Sequence, residues 1–231
     1  MKSYAIVMSK NKISTGGFTN LQASSKSVNN EFETIAYDAI TEPSFWSRQA
    51  WDYPWEGEVI DMKSGLTKSA YPTRNPANRI ACAESHYNLW VMCLDAMEPF
   101  LIQEHDSIWK KKLDATLFDN KEFDIIGINN PIGSTRRSNI YHHKVQSVPG
   151  VASVVRAPKI DKPNIPQGIA GNSAYIISPN GAKKMISLIG QFGLWPNDAI
   201  MCRQLVPRLG QTRIYYTGVQ ALPSTTTEAG G

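Results

Sequence analysis

Two carboxylates, Glu104 and Asp106, stand two residues apart directly after the apolar run 100–102. In an extended segment this spacing points both side chains to the same side. Neighbouring carboxylates repel each other unless a cation or a shared proton relieves the repulsion, and hard cations such as Mg²⁺ and Mn²⁺ prefer oxygen ligands. The pair therefore predicts a divalent cation that bridges to a substrate diphosphate. The alternative is a solvated strand end that leads into a helix, whose first turn favours acidic residues.

The composition is that of a folded α/β protein. The chain has 231 residues, of which 42% are hydrophobic, and this is enough for one domain with a substantial core. Its three cysteines form no disulfide or zinc pattern and favour a reducing, cytoplasmic compartment. The first apolar run is too short for a signal peptide, and no stretch approaches the about 20 apolar residues of a membrane span. The net charge of +4 permits a polyanionic partner without requiring one.

The elements that must position the carboxylates are predicted to alternate between strand and helix. Strands are expected at residues 4–9, 32–40, 100–103, 123–129, 151–157, 173–178 and 212–219. Helices are expected between 14 and 28, over 75–97, over 181–190 and near Pro196, while the aromatic segment 42–76 is loop-like, as a packed excursion or a lid. The pattern predicts an α/β fold with a mostly parallel sheet, which binds ligands outside the carboxyl ends of its strands. We expect one domain over 1–222 and a flexible tail over 223–231.

The helix at 75–97 combines a buried face with polar residues. Its predicted buried positions follow the helical period and are Ile80, Ala83, Tyr87, Trp90, Val91 and Leu94. Ser85 and His86 lie beside this face and are close enough in sequence to act on one ligand. A histidine on a core helix is also commonly a hydrogen-bonded structural residue.

Four blocks in a fixed order resemble glycosyltransferase family 25, the lipooligosaccharide type. They are Ala81-Cys82 with Ser85, His86 and Trp90; Glu104-His105-Asp106; Ala174 through Lys184; and Pro196-Asn197-Asp198. The resemblance spans about residues 35–200. The chain departs from the family pattern at Ala81, where the family has glycine, and at His105, where the family has the middle acid of Glu-Asp-Asp.

The resemblance implies a GT-A-like (Rossmann-like) fold that transfers a sugar from a UDP-sugar with inversion. The implied donor-binding residues are Ser9, Lys10, Tyr37, Asp38, Asn78, Arg79, Ser85, His86, Glu104 and His105. Glu104 and Asp106 remain as ligands for Mg²⁺ or Mn²⁺, although His105 replaces the third carboxylate. Asp198 matches the family's Pro-x-Asp position and is the expected catalytic base. From sequence alone, a helix N-cap is an equally good interpretation of Asp198.

Other segments of the sequence bear on the acceptor. The opening "IVMSKNKIS" and "GFTNLQASS" also resembles compact glycosyltransferases of T-even-type bacteriophages, which modify hydroxymethylcytosine in DNA. In that case the basic loop 133–147 would contact phosphates, and aromatic residues near 46–51 would stack on an unstacked base. The expected acceptor-binding residues are Arg136, Arg137, Lys144, Trp46 and Trp51. An ordinary solvated loop and local core packing explain the same residues.

Four hypotheses therefore remain at this point. Transfer of a pentose or hexose to hydroxymethylcytosine in phage DNA is the leading one, and transfer to a lipopolysaccharide or another saccharide is the runner-up. A metal-dependent nuclease would use Glu104 and Asp106 but normally needs further carboxylates. A non-catalytic nucleotide- or DNA-binding module would be consistent with the change at His105.

Overall fold

Strands and helices alternate along the computed structural model, which describes residues 2–134 and 137–223. The strands are β1 (Lys2–Val7), β2 (Thr34–Asp38), β3 (Glu58–Ile60), β4 (Thr67–Ser69), β5 (Phe100–Glu104), β6 (Ser107–Trp109), β7 (Ile125–Gly127), β8 (Val154–Arg156), β9 (Ala174–Ile177), β10 (Leu209–Thr212) and β11 (Thr217–Val219). The helices are α1 (Lys12–Ser27), α2 (Phe45–Ala50), α3 (Pro76–Ala96), α4 (Ser138–Gln146), α5 (Pro179–Phe192) and α6 (Asn197–Ile200), and a 3₁₀ helix covers Ala115–Asp119. No described helix combines the length and apolar character that crossing a membrane requires.

The central sheet has seven described strands in the order β2-β1-β5-β9-β7-β10-β8. Strand β1 pairs in parallel with β2 and β5, and β10 pairs in parallel with β7. Strand β9 runs antiparallel to both of its neighbours, β5 and β7, and β8 runs antiparallel to β10. Five strands therefore share one direction, which confirms the predicted α/β fold with a mostly parallel sheet. As a consequence, the amino end of β9 lies at the same sheet edge as the carboxyl ends of its neighbours.

Both faces of the sheet are covered, because alternate residues of the strands enter different clusters. Phe100 and Ile102 of β5 pack in the cluster that contains buried residues of α3 and α5. Leu101 lies on the opposite face with Leu21 of α1. Alternation with a period of two gives this arrangement directly.

Helix α3 begins as the sequence predicts. The Asn75 side chain accepts a hydrogen bond from the Ala77 N–H, Pro76 occupies the first turn, and the helix ends at Met97 with a φ of 52°. Its buried arc is wider than predicted. Three of the predicted buried residues are buried: Ile80, Ala83 and Trp90. The other three are half-buried: Tyr87, Val91 and Leu94. The buried set also includes Ser85, His86, Leu89 and Cys93.

Two other sequence predictions need correction. The expected strand 212–219 is wrong: β10 ends at Thr212, and the separate strand β11 pairs with β6 in a two-stranded sheet. Segment 42–76 is not simply a loop, since it contains α2 and the β3–β4 hairpin. Buried Lys68 anchors this hairpin with its Nζ 3.0 Å from Asp52 Oδ1 and 3.4 Å from Asp61 Oδ1. The expected tail lies outside the described residues, except for Pro223.

Candidate active site

A cavity of about 770 Å³ opens at the sheet edge where the carboxyl ends of β1, β2, β5 and β7 meet the amino end of β9. Each strand end contributes to its lining: Met8 after β1, Ala39–Thr41 after β2, Glu104 in β5, Asn130 after β7 and Gly171–Ser173 before β9. The volume is in the range of sites for small-molecule substrates and cofactors. The lining also contains five residues that the sequence predicts for the site: Asn78, Arg79, Ser85 and His86 of α3, and Asp198 of α6.

The acidic tip (Glu104–Asp106) is a turn between β5 and β6, and all three of its residues line the cavity. A helix does not follow it, so the interpretation of the tip as an acidic first helical turn is wrong. Two backbone contacts fix it: the Glu104 N–H donates to Ser173 O (2.8 Å), and the Gln220 N–H donates to Asp106 O (2.7 Å). The tip is therefore positioned by two neighbouring segments.

The tip concentrates negative charge in a poorly solvated place. Burial, and then the charge of Glu104, raises the pKa of Asp106 to about 7. Burial also lowers the pKa of His105, although Glu104 opposes that change. Asp106 Oδ1 is buried without a hydrogen-bond partner among the described residues. An unpartnered carboxylate oxygen beside a second carboxylate fits a hard divalent cation, so Glu104 and Asp106 are suitable Mg²⁺ or Mn²⁺ ligands.

His86 is fully buried between α3 and the sheet. Its Nδ1 lies 2.9 Å from the Tyr175 hydroxyl, which also accepts a 2.9 Å hydrogen bond from Trp90 Nε1. On the cavity side, Nε2 lies 3.5 Å from Glu104 Oε1 and forms no hydrogen bond. Cys82 lies one turn earlier on the same helix, and burial, together with Glu104, raises the pKa of its thiol.

Ser85 lines the cavity but already has two partners. Its hydroxyl accepts a hydrogen bond from the Ile40 N–H and donates to Ala81 O, each at 2.9 Å. These contacts hold the segment after β2 against α3. We therefore expect Ser85 to influence donor binding by positioning the segment after β2.

Asp198 occupies the second residue of α6, where it lines the cavity without capping the helix. The N-cap is Pro196, which offers no side-chain hydrogen bond, and this removes the main alternative to a functional Asp198. Burial raises the pKa of the carboxyl and Glu104 adds to the effect, whereas Arg79 opposes it. The carboxylate also accepts a hydrogen bond from Tyr71, a residue that the sequence interpretation missed.

Four predicted donor-binding residues lie beside the cavity and not in its lining. Ser9 and Lys10 are exposed just after β1, and Tyr37 and Asp38 end β2. The Ser9 N–H donates to Asp38 Oδ1 at 3.3 Å, so the two strand ends are joined. Their proposed contact with a nucleotide remains a prediction.

The described members of the predicted acceptor-binding set do not line the cavity either. Arg137 donates to Asp161 Oδ2 (2.7 Å) and Ile160 O (3.2 Å), and Lys144 donates to Lys159 O (2.6 Å). The ring centroid of Trp46 lies 4.7 Å from that of Tyr87, and the Trp51 ring stacks on Trp55 at 4.9 Å. Arg136 lies outside the described residues.

Several lining residues were not predicted, and strand direction explains most of them. Asn172 and Ser173 precede β9, whose antiparallel direction brings its amino end to the site. Both side-chain polar atoms of Asn172 and the Ser173 hydroxyl are buried without partners in the described chain. Lys110, after β6, adds a cation to the lining.

The comparison with protein families agrees with this geometry. The model of glycosyltransferase family 25 (LPS biosynthesis protein) matches residues 19–201, which is most of the chain and includes the helix, tip and Asp198 blocks. The chain belongs to glycosyltransferase family 25. It is therefore a transferase enzyme, and glycosyltransferases take their sugar from a nucleotide-sugar donor. A search of curated proteins gives no match.

The backbone around Asp198 allows a stability test. A Cβ added to Gly168 would lie 2.4 Å from Asp198 O, so one of the two segments must move. We expect Gly168→Ala to lower the free energy of unfolding by about 1–3 kcal/mol and to reduce transfer. Gly190→Ala is the matched control, since Gly190 lies in α5 with open space around it. Alanine there is expected to stabilise the chain by about 0.5–1 kcal/mol in urea unfolding. Equal effects of the two changes would contradict the close contact.

Proposed function

We propose that this family 25 enzyme transfers a sugar from a UDP-sugar, with inversion, to an acceptor hydroxyl bound next to Asp198. The observation that carries the proposal is that one cavity combines a half-buried carboxylate of raised pKa with a separate pair of carboxylates. Asp198 supplies the first, and Glu104 and Asp106 supply the second. A nucleotide-sugar transferase needs these two functions, a base for the acceptor and a site for the diphosphate.

Asp198 acts as the general base in this proposal. Its carboxylate takes the proton of the acceptor hydroxyl while the hydroxyl oxygen attacks the anomeric carbon. The bond between that carbon and the diphosphate oxygen breaks on the opposite side, and the electron pair leaves with UDP. The raised pKa makes the Asp198 carboxylate a stronger base for the proton of the acceptor hydroxyl. The hydrogen bond from Tyr71 orients the carboxylate.

The diphosphate lies at the acidic tip in this proposal. Glu104 and Asp106 would hold Mg²⁺ or Mn²⁺, which when bound neutralises charge on the leaving diphosphate. Among the described residues, Arg79 and Lys110 are lysine or arginine residues that line the same cavity. His105 replaces an acid of the family pattern, so the tip carries less negative charge and binds a metal ion more weakly. In this proposal Lys110 takes over part of the neutralisation of the diphosphate.

The unpartnered polar atoms before β9 suit the recognition of sugar hydroxyls. The Asn172 amide offers two donors and an acceptor, and the Ser173 hydroxyl offers both functions. Gly171 brings them into place with a φ of +73°. The nucleoside of the donor is then expected to bind at the ends of β1 and β2, near Ser9, Lys10, Tyr37 and Asp38.

We assign a saccharide as the acceptor. The family description refers to LPS biosynthesis. The charged groups of Arg137 and Lys144 already contact oxygens of the chain itself, Asp161 Oδ2 and Lys159 O. The predicted basic loop 133–147 is also not a loop throughout, since Lys144 lies in helix α4. DNA that contains hydroxymethylcytosine is the second candidate, and the observation in its favour is the aromatic surface at Phe45 and Trp46, whose residues are 80% and 43% exposed.

Salt dependence separates the two acceptors. With an uncharged oligosaccharide, we expect turnover to change little between 50 and about 200 mM salt. With hydroxymethylated DNA as the acceptor, phosphate contacts would make binding fall steeply with salt. Neutralising Arg136 and Arg137 together would then flatten the slope by about one for each lost phosphate contact. Transfer is measured by mass spectrometry of both acceptors. Transfer to DNA alone, with a steep salt slope, would overturn the saccharide assignment.

A further inference from the structure

Cys82 and His86 lie one turn apart on α3 and face the acidic tip. The Cys82 Sγ, a ring nitrogen of His86 and a carboxylate oxygen of Glu104 all lie within 4.8 Å of one another. Asp106 does not belong to this group. The three side chains combine soft, intermediate and hard ligand atoms, unlike the all-oxygen pair of the tip.

We propose that Cys82, His86 and Glu104 form a second cation site, which shares Glu104 with the tip and takes a thiophilic divalent cation of the Zn²⁺ class. Zinc binds cysteine sulfur, histidine nitrogen and carboxylate oxygen, and three protein ligands leave one position for a water or substrate oxygen. Magnesium selects oxygen ligands in octahedral geometry and does not favour a thiolate. The chemistry of the three atoms therefore selects a different class of cation from the Glu104–Asp106 pair.

The state of His86 supports this site independently of the cluster itself. The side chain is fully buried, and its Nε2 has no hydrogen bond although it faces Glu104 at 3.5 Å. The other nitrogen, Nδ1, is held by the Tyr175 hydroxyl at 2.9 Å. Histidine ligands of metals usually have this arrangement, in which one nitrogen binds the ion and an outer partner fixes the ring.

The site has a consequence for transfer, and this part rests on the proposed function. Glu104 belongs both to the thiophilic site and to the diphosphate site. A cation bound by Cys82 and His86 withdraws Glu104 from the tip. Thiophilic cations therefore inhibit transfer, in competition with Mg²⁺ or Mn²⁺.

The site is tested with Co²⁺, which reports thiolate ligation by a charge-transfer absorption in the near ultraviolet. We expect the full-length chain, reduced with a non-thiol reductant, to bind one equivalent of Co²⁺ with this absorption and to exchange it for Zn²⁺. Cys82→Ser abolishes the band. Tyr175→Phe weakens binding by about 10–100-fold, because it removes the outer partner of His86.

Two controls separate this site from other thiols and from the tip. Cys202→Ala removes a buried thiol that is not in the cluster, and Asp106→Asn removes a tip carboxylate; both variants should keep the band. Absence of the band in the wild type, or its persistence in Cys82→Ser, overturns the proposal. Thermal unfolding shows whether each variant is folded. If Cys82→Ser is not, Glu104→Gln decides, since it should retain the thiolate band with weaker binding.

The regulatory consequence has its own outcome. Zinc should inhibit sugar transfer by the wild type and should inhibit Cys82→Ser at least tenfold less. If Co²⁺ binds as expected while Zn²⁺ leaves transfer unchanged, competition for Glu104 is overturned and the metal site stands. The cobalt spectrum needs no turnover, so a failure of the proposed function does not affect it.

Discussion

Replacing Asp198 with asparagine is expected to reduce turnover by about 10²–10⁴-fold, the usual contribution of a general base. The change keeps the size of the side chain and removes its ability to accept the acceptor's proton. Donor affinity should remain nearly unchanged, because the diphosphate is proposed to bind at Glu104 and Asp106. Steady-state kinetics and calorimetric titration with UDP measure the two quantities separately.

Tyr71→Phe is the companion variant for this prediction. It removes the hydroxyl that donates to the Asp198 carboxylate and keeps the aromatic ring, which stacks on Tyr53 at 5.8 Å. A smaller decrease in turnover is expected, because the base is still present but less well oriented. If Asp198→Asn were fully active, or if it lost UDP binding together with turnover, Asp198 would not be the base.

Asp106→Asn is expected to decrease transfer strongly while making the folded chain more stable at pH 8. Burial, with the nearby charge of Glu104, raises the pKa of Asp106 from 3.8 to about 7. Between these two values the folded chain retains a proton that the unfolded chain releases. The free energy of unfolding of the wild type therefore falls as the pH rises from about 4 to about 7, and the loss is complete above about 7.

The asparagine variant lacks this loss because it has no proton to release. One pKa unit corresponds to about 1.4 kcal/mol, so we expect a gain on the order of 1–3 kcal/mol at pH 8. The gain should vanish below about pH 4, where the carboxyl is protonated in both states. Urea unfolding across this range measures it, with the exposed Asp95→Asn on α3 as a control. A destabilised Asp106→Asn variant at pH 8 would contradict the electrostatic description of the tip.

The expected pH dependence and the proposed role of Asp106 have one cause. A carboxylate that is costly to ionise in the apo chain is a carboxylate that a cation or a cationic substrate complex stabilises. The ionised Asp106 carboxylate lowers the free energy of unfolding, because only a bound cation would relieve its charge. Such an exchange of stability for function is common in active sites.

The parts of the fold that depend on local chemistry were predictable from sequence. Pro76 marks the start of α3, and the carboxylates of the tip follow an apolar strand. The sequence points to Asn78 as the second start signal, whereas the structure has Asn75 as the N-cap. Asp198 was identified through a motif, but its alternative role as an N-cap could be rejected only when Pro196 was seen in that position.

The parts that depend on strand direction and long-range pairing were not predictable. No local pattern shows that β9 runs antiparallel between β5 and β7, and this direction places Asn172 and Ser173 in the cavity. Similarly, the run 212–219 looks like one strand, although its first residue ends β10 in the central sheet and only Thr217–Val219 form a strand, β11, which pairs with β6. The charges of Arg137 and Lys144 suggested a free basic surface, and their partners Asp161 and Lys159 are distant enough in sequence to be missed.

In the proposed reaction, this cavity cleaves a UDP-sugar and transfers the sugar with Asp198 as the base. The most direct measurement incubates the wild type and Asp198→Asn with a panel of UDP-sugars and an oligosaccharide acceptor. Released UDP and glycosylated product are quantified by mass spectrometry, and the anomeric configuration of the product is determined by NMR. We expect UDP release matched by an inverted glycosidic product in the wild type, and at least about a hundredfold less of both in Asp198→Asn. Equal product formation by the two proteins, or a product with retained configuration, would contradict it.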